Sequence, residues 1–229
     1  MSARWPAVLL LLGLIGVHAP AALAQSVDER LPGRFELAVG PAWLGPVSYG
    51  TSDATETAAD GSRYRLFSTS TGLQSTPGIE ARFGVRVTRV LQAEAEAAYG
   101  RPTLTTKITG DAESAASVSA TEPITQLAIQ GALLAHLTAW HIGRGGVPFV
   151  SAGAGYLRQL HQARALAETG ETYHVGGGVK YLFLLRQASR LKGLGVRAEA
   201  RAVVAVHGIA IDHGAHVSPE LAASIFLRF

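Results

Sequence analysis

Near the end of the chain, His216, Ser218 and Glu220 stand at i, i+2 and i+4. On a β-strand those positions share one face. A histidine within hydrogen-bond reach of a hydroxyl can take its proton, which is the chemistry of an activated nucleophile. Residues two apart on a strand are separated by about 6.5–7 Å, however, which is too far for a direct relay in ordinary rotamers. The expectation is therefore a polar rim. Asp212 and His213 form a second concentration, with His207 and His216 nearby. A metal needs three or four convergent ligands, and this spacing carries no such signature, so these read as solvated loop residues. His136 and His174 are single histidines expected to be hydrogen-bonded in an interior. Gly153-Ala-Gly155 and Gly176-Gly-Gly178 are not nucleotide loops: a dinucleotide fingerprint needs a third glycine and a following helix, and position 158 is Arg. Glycine there relieves crowding between strands. No catalytic, cofactor-binding or metal-binding residue is assigned, no cofactor is implied, and no basic-aromatic patch points to nucleic acid.

The elements that would carry these residues are read from periodicity. Ile79, Ala81, Phe83, Val85 and Val87 alternate with Glu80, Arg82, Gly84, Arg86 and Thr88. Leu91 to Tyr99 alternates with Gln92, Glu94 and Glu96, and Val196 to Ala202 with Arg197, Glu199 and Arg201. Leu221 to Phe229 repeats the pattern. A period of two predicts strands with one apolar and one polar face. A helix would smear the charges of the alanine-rich stretch 93–98 around its surface. Eight strands follow, near 34–45, 78–89, 91–101, 123–140, 147–160, 171–185, 194–206 and 217–229. Short connections fall near 89–91, 141–146 and 186–193. Long ones fall near 46–77, 102–122, 161–170 and 207–216. Pro46, Pro77, Pro102, Pro123, Pro148 and Pro219 sit at or near strand ends, where a lost ladder bond costs least. Pro41 lies inside the first strand and departs from that rule. Loops 46–77 and 102–122 are rich in small polar residues and read as mobile segments or hairpin extensions.

At the other end, Arg4, the apolar run Val8–Val17 and the small-residue site Ala22-Leu23-Ala24 follow the order of a secretory signal, with cleavage expected after Ala24. Residues 1–24 are thus read as a signal peptide and 25–229 as one barrel domain. The run is short of the roughly 20 residues of a membrane helix. The chain has no cysteine, which excludes a lipidated Cys, a disulfide framework and a Cys-based metal site. Its 20 basic and 17 acidic side chains nearly balance, so no case for a polyanion partner follows. Yet 48% of it is hydrophobic. An apolar, exported chain without a membrane helix is either a soluble sandwich or barrel, or a membrane barrel.

The last strand, Pro219-Glu-Leu-Ala-Ala-Ser-Ile-Phe-Leu-Arg-Phe229, resembles the terminal signature of outer-membrane barrels. Pro148–Tyr156, Val175–Tyr181 and Gly195–Arg201 resemble strands of the small OmpA/OmpX-type barrel family. That resemblance implies an all-β fold, an eight-stranded antiparallel transmembrane up-and-down β-barrel in the cell outer membrane. It implies no periplasmic peptidoglycan-binding domain, since the chain stops at Phe229. It also implies outer-membrane lipid and lipopolysaccharide as surroundings, the barrel-assembly machinery as partner during insertion, and a monomer. The His216-x-Ser218 pair is similar to the pattern of the lipid A deacylase family of outer-membrane barrels, with the acid closer in sequence than that family has it. Omptin-like surface proteases use Asp and His pairs but are longer barrels.

In a membrane barrel the apolar face points to lipid and the polar face inward. A soluble, lipocalin-like barrel would reverse this, and the alternating loop lengths and terminal aromatic strand favour the membrane reading. The interior would then receive Glu36, Glu80, Arg82, Arg86, Gln92, Glu94, Glu96, Gln126, Gln130, His136, Lys180, Arg197, Glu199, Arg201 and Arg228. Eight strands enclose a space wide enough only for side chains, and unpaired buried charge is costly. An ion-paired, plugged interior follows, in which Glu94, Glu96 and Glu199 meet Arg82, Arg86, Arg197 and Arg201. Trp43, Tyr99, Trp140, Tyr156, Tyr173, Tyr181 and Phe229 would be interfacial aromatics. The expected role is non-enzymatic, in envelope integrity or loop-mediated surface interaction. The alternatives are a lipid A acyl hydrolase acting through His216 and Ser218, or a small-solute channel.

Overall fold

The computed structural model describes residues 33–229, except 114–115, 141, 144, 162–165, 186–189 and 210–213. The expected signal peptide and the Asp212–His213 pair lie outside the described residues. The described residues form twelve strands: β1 (Phe35–Leu44), β2 (Val47–Thr57), β3 (Arg63–Leu73), β4 (Thr76–Arg86), β5 (Leu91–Gly100), β6 (Thr103–Thr109), β7 (Val118–Pro123), β8 (Thr125–His136), β9 (Gly146–Leu160), β10 (Ala167–Leu185), β11 (Gly193–His207) and β12 (Ala215–Arg228).

Eight of them close into an antiparallel barrel in the order β1-β12-β11-β10-β9-β8-β5-β4. These are the eight strands expected from the alternation. Closure joins the two ends of the chain: Leu37 pairs with Leu227 and Val39 with Ile225. Pro41 is accommodated at this seam. Val39 and Ala42 are paired with β12 but Gly40 and Pro41 are not, so the missing N–H of Pro41 interrupts a ladder that is already open there. Gly40 lies so close to β12 that a Cβ would come within 2.0 Å of the Ala223 carbonyl oxygen, which reserves the position for glycine.

The other four strands take the hairpin alternative expected for the two long loops. The segments 46–77 and 102–122 are hairpins, β2–β3 and β6–β7, joined through β3 and β6 into one antiparallel sheet of order β2-β3-β6-β7. Ser70 pairs with Lys107 and Leu73 with Leu104 across that junction. Each hairpin is inserted where two barrel strands would otherwise meet at a turn, so the sheet rises from one end of the barrel. Both of its faces are largely exposed beyond the base. Its strands therefore lack the apolar alternation that marks the others. The β2–β3 turn is held by Ser62, whose N–H and hydroxyl both donate to the Asp60 carboxylate (2.9 and 2.7 Å). Those bonds hold the Asp60 carboxyl below its ordinary range. Two connections expected to be long are short: β9 runs to Leu160 and β10 starts at Ala167, while β11 runs to His207 and β12 starts at Ala215.

Candidate functional site

The barrel is built inside out relative to a soluble one. Leu133, Val175, Val217, Ile79 and Ile225 are each more than half exposed on its outer surface. Arg82, Glu94, Lys180, Arg197, Glu199, Arg201 and Arg228 are buried within. Of the fifteen residues expected inside, thirteen are buried and two, Arg86 and Gln126, are half-buried near strand ends. All seven expected interfacial aromatics are exposed. Trp43 and Tyr99 lie one residue from the ends of β1 and β5 that face the external sheet, and Tyr181 and Phe229 lie toward the opposite end.

The buried charges form one connected set. Arg82 donates to Glu199 (2.5 Å) and Glu80 (2.7 Å) and lies within 4 Å of Glu94 and Glu96. Arg197 bridges Glu94 and Glu199, both at 2.8 Å. Arg201 reaches Glu96 (2.6 Å), Glu220 (3.0 Å) and Glu80 (3.4 Å). Toward the other end, Lys180 and Arg228 converge on Glu36 at 2.6 and 2.7 Å, and Gln92 donates to both Glu36 and Glu94. The expected partners thus meet, and Glu220 joins them; Arg86 lies half-buried at the end of β4. Gly176 and Gly178 make room for these long side chains. A Cβ on Gly176 would press on Arg201 Cβ at 2.6 Å, and one on Gly178 on the Phe149 ring at 2.8 Å.

Two aromatic residues at inward-facing positions complete the packing. Phe226 is fully buried, and Phe149 nearly so. Lys180 and Arg197 lie over the Phe149 ring, and Lys180 and Arg228 over Phe226, so the inward rings solvate the cations. Ala38, Val147, Leu182 and Phe226 pack below the charges. Tyr49, Leu73, Ile124 and Ile209 pack above them, beneath the external sheet.

No family model matches the chain, and no curated protein matches it. Among solved structures it is similar to a neisserial protein. Neisserial surface protein A is 13% identical, with a TM-score of 0.48, covering 85% of this chain and 97% of that one. The N-terminal β-barrel domain of Pseudomonas aeruginosa OprF is also 13% identical, with a TM-score of 0.35, covering 85% and 99%.

The histidines divide by position. His216 and Glu220 are buried on one face of β12 with Ser218 between them, as the spacing requires. Glu220 accepts a hydrogen bond from Arg201, and the His216 ring packs edge-on against Tyr49 at 5.0 Å. His136 faces the Val90 carbonyl at 3.2 Å, and His174 faces Gln130 Oε1 at 2.6 Å, the hydrogen-bonded interior roles expected of them. His207 is exposed at the end of β11 with φ 65°. Among the described residues no group of three His, Asp or Glu side chains is arranged to hold a metal. Sequence reasoning missed His161, which joins three elements: its Nδ1 is 2.9 Å from Glu122 of β7 and its Nε2 is 3.7 Å from Glu168 of β10. A cavity of about 50 Å³ above the charges is lined by Gln126, Gln130, Gln159, Thr172, Ser218 and Tyr49, among others. It is several-fold smaller than a small-molecule site of about 300 Å³ or more.

Proposed function

We propose that this protein is an integral outer-membrane barrel with a plugged, ion-paired interior. In this reading it serves as a non-enzymatic carrier that presents the β2-β3-β6-β7 sheet for interaction at the cell surface. The observation that carries the reading is the reversed polarity. Leu133 and Val175 face outward, and Lys180, with none of its surface accessible, faces inward onto Glu36. An apolar belt of that kind is stable in hydrocarbon, where a closed barrel leaves no unpaired strand edge. Charges paired across a narrow interior leave no aqueous path of porin width. The external sheet favours surface interaction because it adds a built, exposed structure that barrel closure does not need. Outer-membrane lipid and lipopolysaccharide would surround the belt, the barrel-assembly machinery would act during insertion, and the working unit would be a monomer.

The test is membrane fractionation with unboiled and boiled gel migration, followed by planar-bilayer recording. The expected result is a protein that pellets with outer membrane, migrates faster unboiled, and shows no stable large openings. A soluble protein without a heat-dependent shift would overturn the membrane reading. Stable large openings would overturn the plugged interior.

A further inference from the structure

Outward-facing positions of the eight barrel strands are almost entirely uncharged. Among the described residues, the exceptions are Arg158 on β9 and Glu171 on β10, both exposed and both toward the end that carries the external sheet. Arg158 stands in a lateral row. It pairs with Leu127, which pairs with Tyr99, and on its other side it pairs with Thr169. Arg101 follows β5 directly after Gly100 and is also exposed. Gly100 pairs with Gln126, and Gln126 with Gln159, so Arg101 and Arg158 flank the β8 residues Thr125 and Leu127. They are two strands apart, about 9.5 Å, and offset by two residues along the chain, about 6.6 Å. Two arginine side chains can converge over that span. Neither guanidinium is paired with a described carboxylate. Glu171 lies nearby but accepts a hydrogen bond from its own-strand neighbour Tyr173 at 2.8 Å.

We infer that Arg101 and Arg158, with the hydroxyls of Thr125 and Thr169, form a site for the phosphate of a lipid headgroup in the leaflet at the external end. A guanidinium on a lipid-facing surface is costly in hydrocarbon and tolerable at the interface. Arg158 stands in the same lateral row as Tyr99, two strands away, and within two residues of Tyr156, the level at which aromatic side chains mark the headgroup region. A planar fork of N–H donors matches phosphate oxygens in pairs. Threonine hydroxyls on either side add neutral donors. The apolar residues below, Leu127 and Ile129, would meet the acyl chains of the same lipid. Because Leu127 and Ile129 are 38% and 56% exposed, that contact surface is available along the strand.

The inference rests on the membrane-barrel reading, and its test separates the two. The chain is refolded in detergent and offered lipid A carrying both phosphates, or the same lipid with the phosphates removed. Retained lipid is counted by native mass spectrometry. Wild type should retain the phosphorylated lipid about tenfold better than Arg101→Gln/Arg158→Gln, and both should retain the dephosphorylated lipid equally. Heat-dependent gel migration of the double variant shows that it is folded. Equal retention of the phosphorylated lipid by wild type and the folded double variant overturns the site while leaving the barrel reading intact. Full displacement by millimolar inorganic phosphate overturns the lipid as the source of the phosphate. A chain with no heat shift that takes up neither lipid overturns the membrane reading itself.

Discussion

At the scale of single residues, the interior is decided by how many partners each charge holds. Glu199 accepts bonds from Arg82, Arg197 and Ser151, at 2.5, 2.8 and 2.6 Å. Removing it takes one acceptor from two guanidinium groups, each of which keeps another: Arg82 still holds Glu80 and Arg197 still holds Glu94. Glu199→Ala is therefore expected to destabilise the barrel by about 1–3 kcal/mol, the usual cost of leaving buried donors without an acceptor. The measurement is the urea midpoint of unfolding in lipid vesicles, and an unchanged midpoint would refute the network. Replacing Arg82 and Glu199 together by Met should not recover the loss, because Arg82 also holds Glu80 at 2.7 Å and lies within 4 Å of Glu94 and Glu96. The sequence made the inward charges legible, because parity along a strand assigns a side chain to a face. It did not make their partners legible. Arg82 and Glu199 are 117 residues apart and meet across the interior. That meeting depends on the stagger of eight strands, which no local pattern encodes. Phe149 and Phe226 show a second limit. Parity pointed them inward while polarity pointed them outward, and the cations resting on their faces resolve the conflict.

At the scale of elements, the division between the barrel and the external sheet explains what could be read. A barrel strand has an exposed apolar face on one side and paired charge on the other, so its sequence alternates. A strand such as β2, Val-Ser-Tyr-Gly-Thr-Ser-Asp-Ala-Thr-Glu-Thr, sees water on both sides beyond Tyr49 and has nothing to alternate. Its pairing with β3 comes from the turn at Asp60–Ser62 and from backbone bonds, which composition does not reveal. The same division predicts independence. The β1–β4 ladder is continuous from Phe35 opposite Val85 to Leu44 opposite Thr76, and none of it depends on the hairpin between them. Replacing residues 50–70 by a short Gly/Ser linker keeps Tyr49 and Leu73 in the cluster beneath the sheet. The shortened chain should still migrate faster unboiled than boiled, and its urea midpoint should stay close to that of wild type. Loss of the heat-dependent shift would mean that the sheet is part of the folding unit. His161 is the contact to watch in that experiment, since it ties Glu122 of β7 to Glu168 of β10 and anchors the remaining hairpin to the barrel wall.

At the scale of the whole molecule, the proposed plug would consist of three layers along the interior. Tyr49, Leu73, Ile124 and Ile209 would close the end beneath the external sheet. The carboxylates and bases would close the middle. Ala38, Val147, Leu182 and Phe226 would close the far end around a ring with no accessible surface. Barriers in series have a simple consequence: the tightest remaining one sets the conductance, whichever of the others is opened. Phe226→Ala alone should leave the barrel silent in a planar bilayer, because the charged layer persists above it. Replacing Arg82 and Glu199 together by Ala should also be silent, because both apolar clusters persist. Combining all three substitutions still leaves the outer cluster, so small openings should appear only when Tyr49→Ala is added. They should be brief and far below porin size, since eight strands cannot widen beyond the space their side chains vacate. Each variant must first show the heat-dependent shift, so that silence reports a closed interior and not an unfolded chain. Stable conductance from any single substitution would show that one layer alone holds the interior shut, and the series arrangement would then be wrong.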